Sequence, residues 1–587
     1  MVAITPYEEM DGELERCLQM GAFGGHRGIV HSISDSTVTG ALSVVGASGM
    51  TGRIQTWRYE DAKDRHAGGR TAAIDDRAII ALLVLLALEG LPLFVSNVAD
   101  LIQNRLSDNA RTLLGIRQLA ADGDDWYDRS WRAVHRLLSV IDPYPAPHKR
   151  RVSAEEFKKI EAQRDPVEVE RREARLNELS NALVLATWQM LPREIRRRWK
   201  GNVCVDGTPV KAFARGYSPK APYTVEPDAG WYMRTGDHRD TGDKKGRVHT
   251  KSLFGWDATI VIATSNDPSR SADFPLLATG VTFDKPAFRV AENAMTIFRS
   301  MRDLGMPVGL AAGDRAYWSN AKIEKLQLPM RALGYTNVND YKENQLGVQA
   351  GHGGGIMVEG AWYCPSMPTP LVEASIDYRV KKTIDEAMWK KRIAARTPYM
   401  LHAKESSDAD GHQPLRCPAI GASATVACPL RADSMKGQKV VLRSRVSTSP
   451  EHPDKICRQT SVSFPPSAGA KYRQDIQYGT DEWHEMYATA RNTIESFNGF
   501  IKDGAHEALA DATRRRLRGR AAQHLLTALL VMAANVRKIR VFMKGLKATP
   551  TETRQKAQRR LRRKRESLTN FLPIMARPPD DDGVTAS

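Results

Sequence analysis

Apolar residues recur at two periods along this chain, and the changes from one to the other divide it. Residues 1 to about 70 are rich in Gly, Ser and Thr and show weak periodicity. From 71 to 142 the spacing predicts helices. Asp75-Asp76 precede an apolar run from Ala78 to Leu88, Pro92 interrupts it, and Leu101 to Ile116 carry apolar residues at helical spacing. Trp126, Trp131 and Leu137-Leu138 continue the pattern until Pro143, Pro145 and Pro147 break it. Ser153-Ala154-Glu155-Glu156 reads as a capping box that restarts a helix, charged to about Asn177 and apolar-striped from Leu179 to Leu191.

From 201 the texture turns to strand. Val203 and Val205 lead into Asp206, and Thr259 to Thr264 is a β-branched run with no helical period. Val290 to Leu304 predicts a helix, followed by a short strand from Val308 that ends at Asp314. Strands, a helix and a strand are what an α/β layer requires. Residues 347–475 hold many Gly, Pro and Ser and short β-like runs such as Lys439-Val440-Val441-Leu442, which predicts an inserted, mostly β subdomain. Helical spacing returns from Asp481 to Lys547, and Pro579 to Gly583 is expected to be disordered.

At 587 residues, with 42% hydrophobic and 26% charged residues, the chain should hold several domains with ordinary cores. Charge changes the picture more. Lys plus Arg number 86 against 68 Asp plus Glu, a formal charge of +18, so a polyanion is the expected partner, nucleic acid before an anionic membrane. The run Ala78–Leu88 stops at Glu89-Gly90, too short to span a bilayer, and reads as a buried core helix. Met1 to Cys17 lacks a secretory pattern, and six cysteines without a CxxC pair fit a reducing compartment; the expected location is the cytoplasm.

Against this basic background three acids stand out: Asp206, Asp314 and Glu495. Asp206 interrupts one apolar run and Asp314 ends another, and acids at strand ends of an α/β sheet lie where ligands bind. On a helix, Arg491, Glu495 and Lys502 share one face while Ile494, Phe497 and Ile501 point to the opposite side. Three converging carboxylates would repel each other unless a divalent cation joined them, and Mg²⁺ suits an all-oxygen donor set. Two-metal phosphoryl transfer needs such a set. The bland account makes Asp206-Gly207 and Gly313-Asp314 turn residues and the helix an ordinary salt-paired surface. Neither glycine-rich stretch, 45–53 or 351–355, has the context of a nucleotide-binding loop, so no nucleotide cofactor is expected.

Val205-Asp206-Gly207-Thr208, Gly313-Asp314-Arg315-Ala316-Tyr317 and Tyr487-x3-Arg491-x3-Glu495-x6-Lys502 together resemble DDE transposases of bacterial insertion sequences, with a long β-rich insertion before the Glu. Asp340 to Gly347 looks like the stretch that precedes that insertion, and the resemblance covers about 201–545. It implies an α/β, RNase H-like mixed sheet flanked by helices, a Mg²⁺ (or Mn²⁺)-dependent nick by water, and attack of the freed 3′-hydroxyl on target DNA. Carried over, Asp206, Asp314 and Glu495 are the metal-binding triad, Arg491, Lys502 and Arg315 DNA contacts, and Tyr487 an accessory. The family's pattern has two residues, not three, between Tyr and Arg, which turns Tyr487 roughly 80° from Glu495 around the helix.

The expected organisation is a mostly helical domain at 1–150 that binds DNA ends, a charged helical connector at 151–200, a catalytic domain at 201–346 and 476–547 split by the insertion at 347–475, and a basic tail at 548–587. Double-stranded DNA, as element ends and target, is the expected partner of a homodimer near the nucleoid. Arg105, Arg111 and Arg117 are candidates for end recognition, and the runs Arg514–Arg520 and Arg559–Arg565 for phosphate contact. Cys364, Cys417, Cys428 and Cys457 could form a four-thiolate zinc site, but without tight CxxC pairs scattered structural thiols are the weightier reading. Two alternatives share the same residues: a nuclease of this fold that cuts without rejoining, and an inactive relative that binds or regulates DNA.

Overall fold

The β-branched run around Thr259 organises the molecule. The computed structural model describes residues 32–62, 72–116, 126–145, 150–234, 251–447 and 449–547. Six strands build one mixed sheet: β1 (Val203–Lys211), β2 (Gly230–Arg234), β3 (Lys251–Ala263), β4 (Ala278–Asp284), β5 (Leu310–Gly313) and β6 (Thr336–Val338). β3 is the long central strand. One edge pairs antiparallel with β1, and the other is shared end to end by β2 and β4. On the far side of β1 the sheet turns parallel, through β5 to β6. This is a mixed α/β fold.

Eight helices frame the sheet and its N-terminal partner: α1 (Asp35–Ala47), α2 (Met50–Asp61), α3 (Asp76–Leu88), α4 (Trp126–Ile141), α5 (Pro166–Ala186), α6 (Val290–Asp303), α7 (Asp481–Lys502) and α8 (Arg520–Leu546). Residues up to Val536 form one compact unit and those from Arg537 a second. The Ala78–Leu88 run is buried at every position, as its composition predicts. Among the described residues no helix is long and apolar enough to cross a membrane.

Three segments differ from what their local pattern suggests. Within residues 32–62 the weakly periodic stretch forms α1 and α2. Ser34 caps α1 by accepting from Thr37 N at 3.3 Å, and Gly49, at φ 67°, supplies the left-handed turn between the two helices. The 151–200 segment is more than a connector. Its start behaves as predicted, Ser153 Oγ accepting from Glu156 N at 3.1 Å, but the second half of α5 is core. Asn181 Oδ1 accepts from Val281 N on β4 at 2.8 Å, and Gly280 beside it has no room for a Cβ, which would lie 2.8 Å from that same oxygen. Third, the run Lys439–Leu442 is no strand. It belongs to a 3₁₀ turn, Gln438–Leu442, in which Val441 and Leu442 are almost fully exposed.

The insertion is more mixed than its composition suggests. Two small antiparallel sheets, Val348–His352/Gly355–Val358/Ala361–Tyr363 and His402–Ala403/Gln413–Arg416/Val462–Phe464, are joined by short helices, including Glu386–Ala394. A fully buried ion pair, Arg396–Glu359 at 2.6 Å, ties those helices to the first sheet.

Candidate active site

Register places the two aspartates together. β1 and β5 run parallel with Val205 opposite Gly313, so Asp206 and Asp314 are the next residues in line on neighbouring strands. Adjacent strands lie about 4.8 Å apart. Asp206 is not at a strand end: β1 continues to Lys211 against β3, with Asp206 opposite Ile260. It is β5 that stops, after four residues, and leaves that edge of β1 open beyond Val205.

α7 closes the site. Thr480 caps it by accepting from Trp483 N at 3.2 Å, and Ile494, Phe497 and Ile501 are fully buried on one face, as the spacing predicts. The adjoining face presents Arg491, Glu495, Asn498 and Lys502 to an open cleft of about 1650 Å³ that Asp206 and Asp314 also line. Asn498 Nδ2 donates to Asp206 Oδ2 at 3.2 Å, and Arg491 Nη1 stands 3.9 Å from the same oxygen. Arg491 Nη2 donates to Glu495 Oε1 at 3.0 Å. Glu495 therefore turns toward the arginine, its side chain 62% exposed, instead of toward the aspartates.

A fourth carboxylate, Asp257 on β3, lines the same cleft. A Cβ on Gly207 would come within 2.7 Å of Asp257 Oδ2, so the glycine after Asp206 makes room for it. Burial pushes the Asp206 carboxyl up to about 6; Arg491 opposes the rise and Asp314 adds to it. Burial likewise raises Asp257 to about 6, with Asp206 the next cause. Asp257 was invisible in the sequence because no motif surrounds it and its place beside Gly207 comes from the pairing of β1 with β3.

The donor set is all oxygen: Asp206, Asp257, Asp314, Glu495 on the rim, and Asn498 Oδ1, which is buried without a hydrogen-bond partner. That chemistry suits a hard divalent cation. Among the described residues, no group of three or more His, Cys, Asp or Glu, the four insertion cysteines included, is arranged as it stands to hold a metal ion.

Other predicted residues fall elsewhere. Arg315 turns away from the cleft and pairs with Asp340, Nε to Oδ2 3.0 Å. Tyr487 stacks on Trp483 with ring centroids 5.1 Å apart, and burial raises its hydroxyl to about 12; it packs. Arg105 and Arg111 pair with Asp100 and Asp108 at 2.6 and 3.2 Å. The run Arg514–Arg520 is divided: Arg516 and Arg518 are exposed and Arg514 is half-buried, while two of its arginines face the interior. Arg515 and Arg520 are 1% and 2% exposed, and Arg520 donates to Phe283 O and pairs with Glu173. Their bonds to backbone carbonyls and buried acids explain why so many arginines stand together. Arg117 and the run Arg559–Arg565 lie outside the described residues.

No protein-family model matches the chain, and neither a curated protein nor a solved structure matches it.

Proposed function

We propose that this protein is a DNA transposase of the DDE type, with an RNase H-like catalytic core that cleaves the ends of its element and joins them to target DNA. One observation carries the reading. Two aspartates on adjacent parallel strands and a helix contributed nearly two hundred residues later line one cleft in a strongly basic chain.

Asp206, Asp314 and Glu495, with Asp257 beside them, would hold Mg²⁺ or Mn²⁺. When bound, the metal supplies an activated attacking oxygen and a stabilised leaving oxygen. Arg491 positions Glu495 and offsets the charge of Asp206. Lys502 on the wall and the exposed Lys322 opposite suit phosphate contact. The Glu495–Arg491 pair must open, or swing as a unit, for Glu495 to join the aspartates. With Glu495 gathered beside Asp206, Asp257 and Asp314, a bound divalent cation would offset the repulsion among them.

The deciding experiment incubates the protein with Mg²⁺ and DNA carrying the terminal sequences that flank its gene. Cleavage followed by strand transfer supports the reading. Cleavage without joining makes it a nuclease of this fold, and binding without cleavage makes it a DNA-binding regulator.

A further inference from the structure

One loop of the insertion ends in a bare apolar tip. Val441 and Leu442 stand side by side on the 3₁₀ turn Gln438–Leu442, 89% and 87% exposed. Single exposed aliphatic residues are ordinary, but adjacent ones left this bare are not. Leu430 and Met435 are exposed as well, so four large apolar residues reach solvent within residues 430–442.

The tip is braced. Both feet of its loop are anchored in the core of the insertion. On one side Ser434 is buried, and its Oγ accepts from Cys428 N at 2.8 Å. On the other, the N–H of buried Val446 donates to Ala427 O at 3.0 Å and that of Ser444 to Thr425 O at 3.1 Å. Arg443 ties the two sides together, Nη1 donating to Ser434 O at 2.6 Å and Nε to Ala424 O at 3.1 Å. Its own N–H closes the turn on Val440 O at 3.1 Å. Between the feet Gly437 takes φ 86°, and a Cβ placed there would meet no atom. So braced, the loop presents its aliphatic tip away from the core in a set position, which lowers the ordering cost of binding.

Charge selects the partner. From Ser434 to Pro450 the sequence carries Lys436, Lys439, Arg443 and Arg445 and no acid. Lys436 and Arg445 are exposed, and Lys436 reaches Asp433 at 3.3 Å in a solvated pair that a phosphate displaces at small cost. A second copy of this chain, itself at +18, would meet those cations with like charge. DNA answers both features at once: phosphates line its grooves, and an unstacked base step admits aliphatic side chains.

We propose that Val441 and Leu442 form a wedge that enters the minor groove of DNA and opens one base step, with Lys436 and Arg445 on the flanking phosphates. Wedges of this kind kink a duplex by about 20–90°. The inference takes DNA as the partner from the transposase reading, and adds a contact on residues that do not line the carboxylate cleft.

The test uses the full-length protein and a duplex of the terminal sequence flanking its gene, labelled at both ends for energy transfer. The double variant Val441→Ser/Leu442→Ser alters only exposed side chains, so its unfolding midpoint should match that of the unaltered protein. It should bind the duplex about tenfold more weakly and bend it less, with the salt slope of binding unchanged because the phosphate contacts remain. Aminopurine, whose fluorescence rises when it unstacks, should brighten at one step with the unaltered protein and not with the variant. Pyrimidine–purine steps yield most easily, so the opened step should be one of those. Val441→Ile/Leu442→Met should keep both affinity and bend, whereas Lys436→Gln/Arg445→Gln should lower the salt slope by about two. A serine variant that binds and bends DNA like the unaltered protein overturns the wedge and leaves the transposase reading standing. So does a serine variant whose only change is in oligomeric state or in binding to anionic vesicles. Failure of the unaltered protein to bind the duplex at all overturns both.

Discussion

Replacing Asp206 by Asn should inactivate the protein and, in the absence of metal, stabilise it. The carboxyl of Asp206 is raised from 3.8 to about 6, chiefly by burial. Each pKa unit is worth about 1.4 kcal/mol, so keeping this group ionised at neutral pH costs the fold about 3 kcal/mol. The sign follows from proton binding. Between about pH 4 and 6 the folded state holds a proton that the unfolded state has released, so stability falls as pH rises through that window and stays low above it. Asparagine carries no charge and escapes the penalty. At about 2 cal/mol/K per residue over a cooperative unit of about 500 residues, 3 kcal/mol corresponds to a shift of roughly 3 °C in the unfolding midpoint. The assay is thermal unfolding of both proteins in EDTA at several pH values. The variant should unfold a few degrees higher at pH 8, and the gap should close by about pH 4. Added Mg²⁺ should raise the wild-type midpoint and leave the variant's nearly unchanged. No gain at pH 8, or a gain that does not depend on pH, would refute the electrostatic account of the site.

Asp314→Asn and Glu495→Gln should each lower cleavage by at least about a hundredfold while leaving DNA affinity within a few fold, read by nicking and gel-shift assays. Asp257→Asn should show the same pH-dependent stabilisation as Asp206→Asn, because burial raises both carboxyls; a destabilised variant would show that Asp257 has a structural partner. Arg520→Met should destabilise by about 3–5 kcal/mol, since it strips a buried charge from Glu173 and Asp284. Glu173 shows the opposite pH response to Asp206: burial raises its carboxyl, but Arg520 and Arg289 outweigh burial and hold it at about 2. Its contribution is present above about pH 4.5 and lost on acidification towards pH 2, and acid titration of stability should lose that component in the Arg520 variant. DNA binding should weaken steeply with salt as phosphate contacts release counterions, and a flat response would contradict the expectation of a polyanionic partner drawn from the net charge of +18.

The helical face of α7 was legible because a 3.6-residue repeat fixes which side chains lie together, and Ile494, Phe497 and Ile501 are buried where the spacing puts them. The strands around Asp206 and Asp314 were legible from β-branched runs. Their pairing was not, since nothing local says that Val205 lies opposite Gly313. Asp257 and Asn498 escaped for the same reason: each acquires its place from a partner far along the chain. Within Arg514–Arg520 composition reports charge but not direction, and the burial of Arg520 against Phe283 O and Glu173 is a tertiary fact. α1 and α2 show little period in the sequence because glycines weaken helix propensity, while packing against α3 overrides it.

The wide separation of Asp314 from Glu495 has a consequence during translation. The ribosome needs roughly 10–40 s to travel from one codon to the other, at about 5–20 residues per second. Throughout that interval the nascent chain holds both sheet aspartates without the helix that covers them. A product terminated before α7 therefore lacks Arg491, Glu495, Asn498 and Lys502, and with them the wall that closes the cleft.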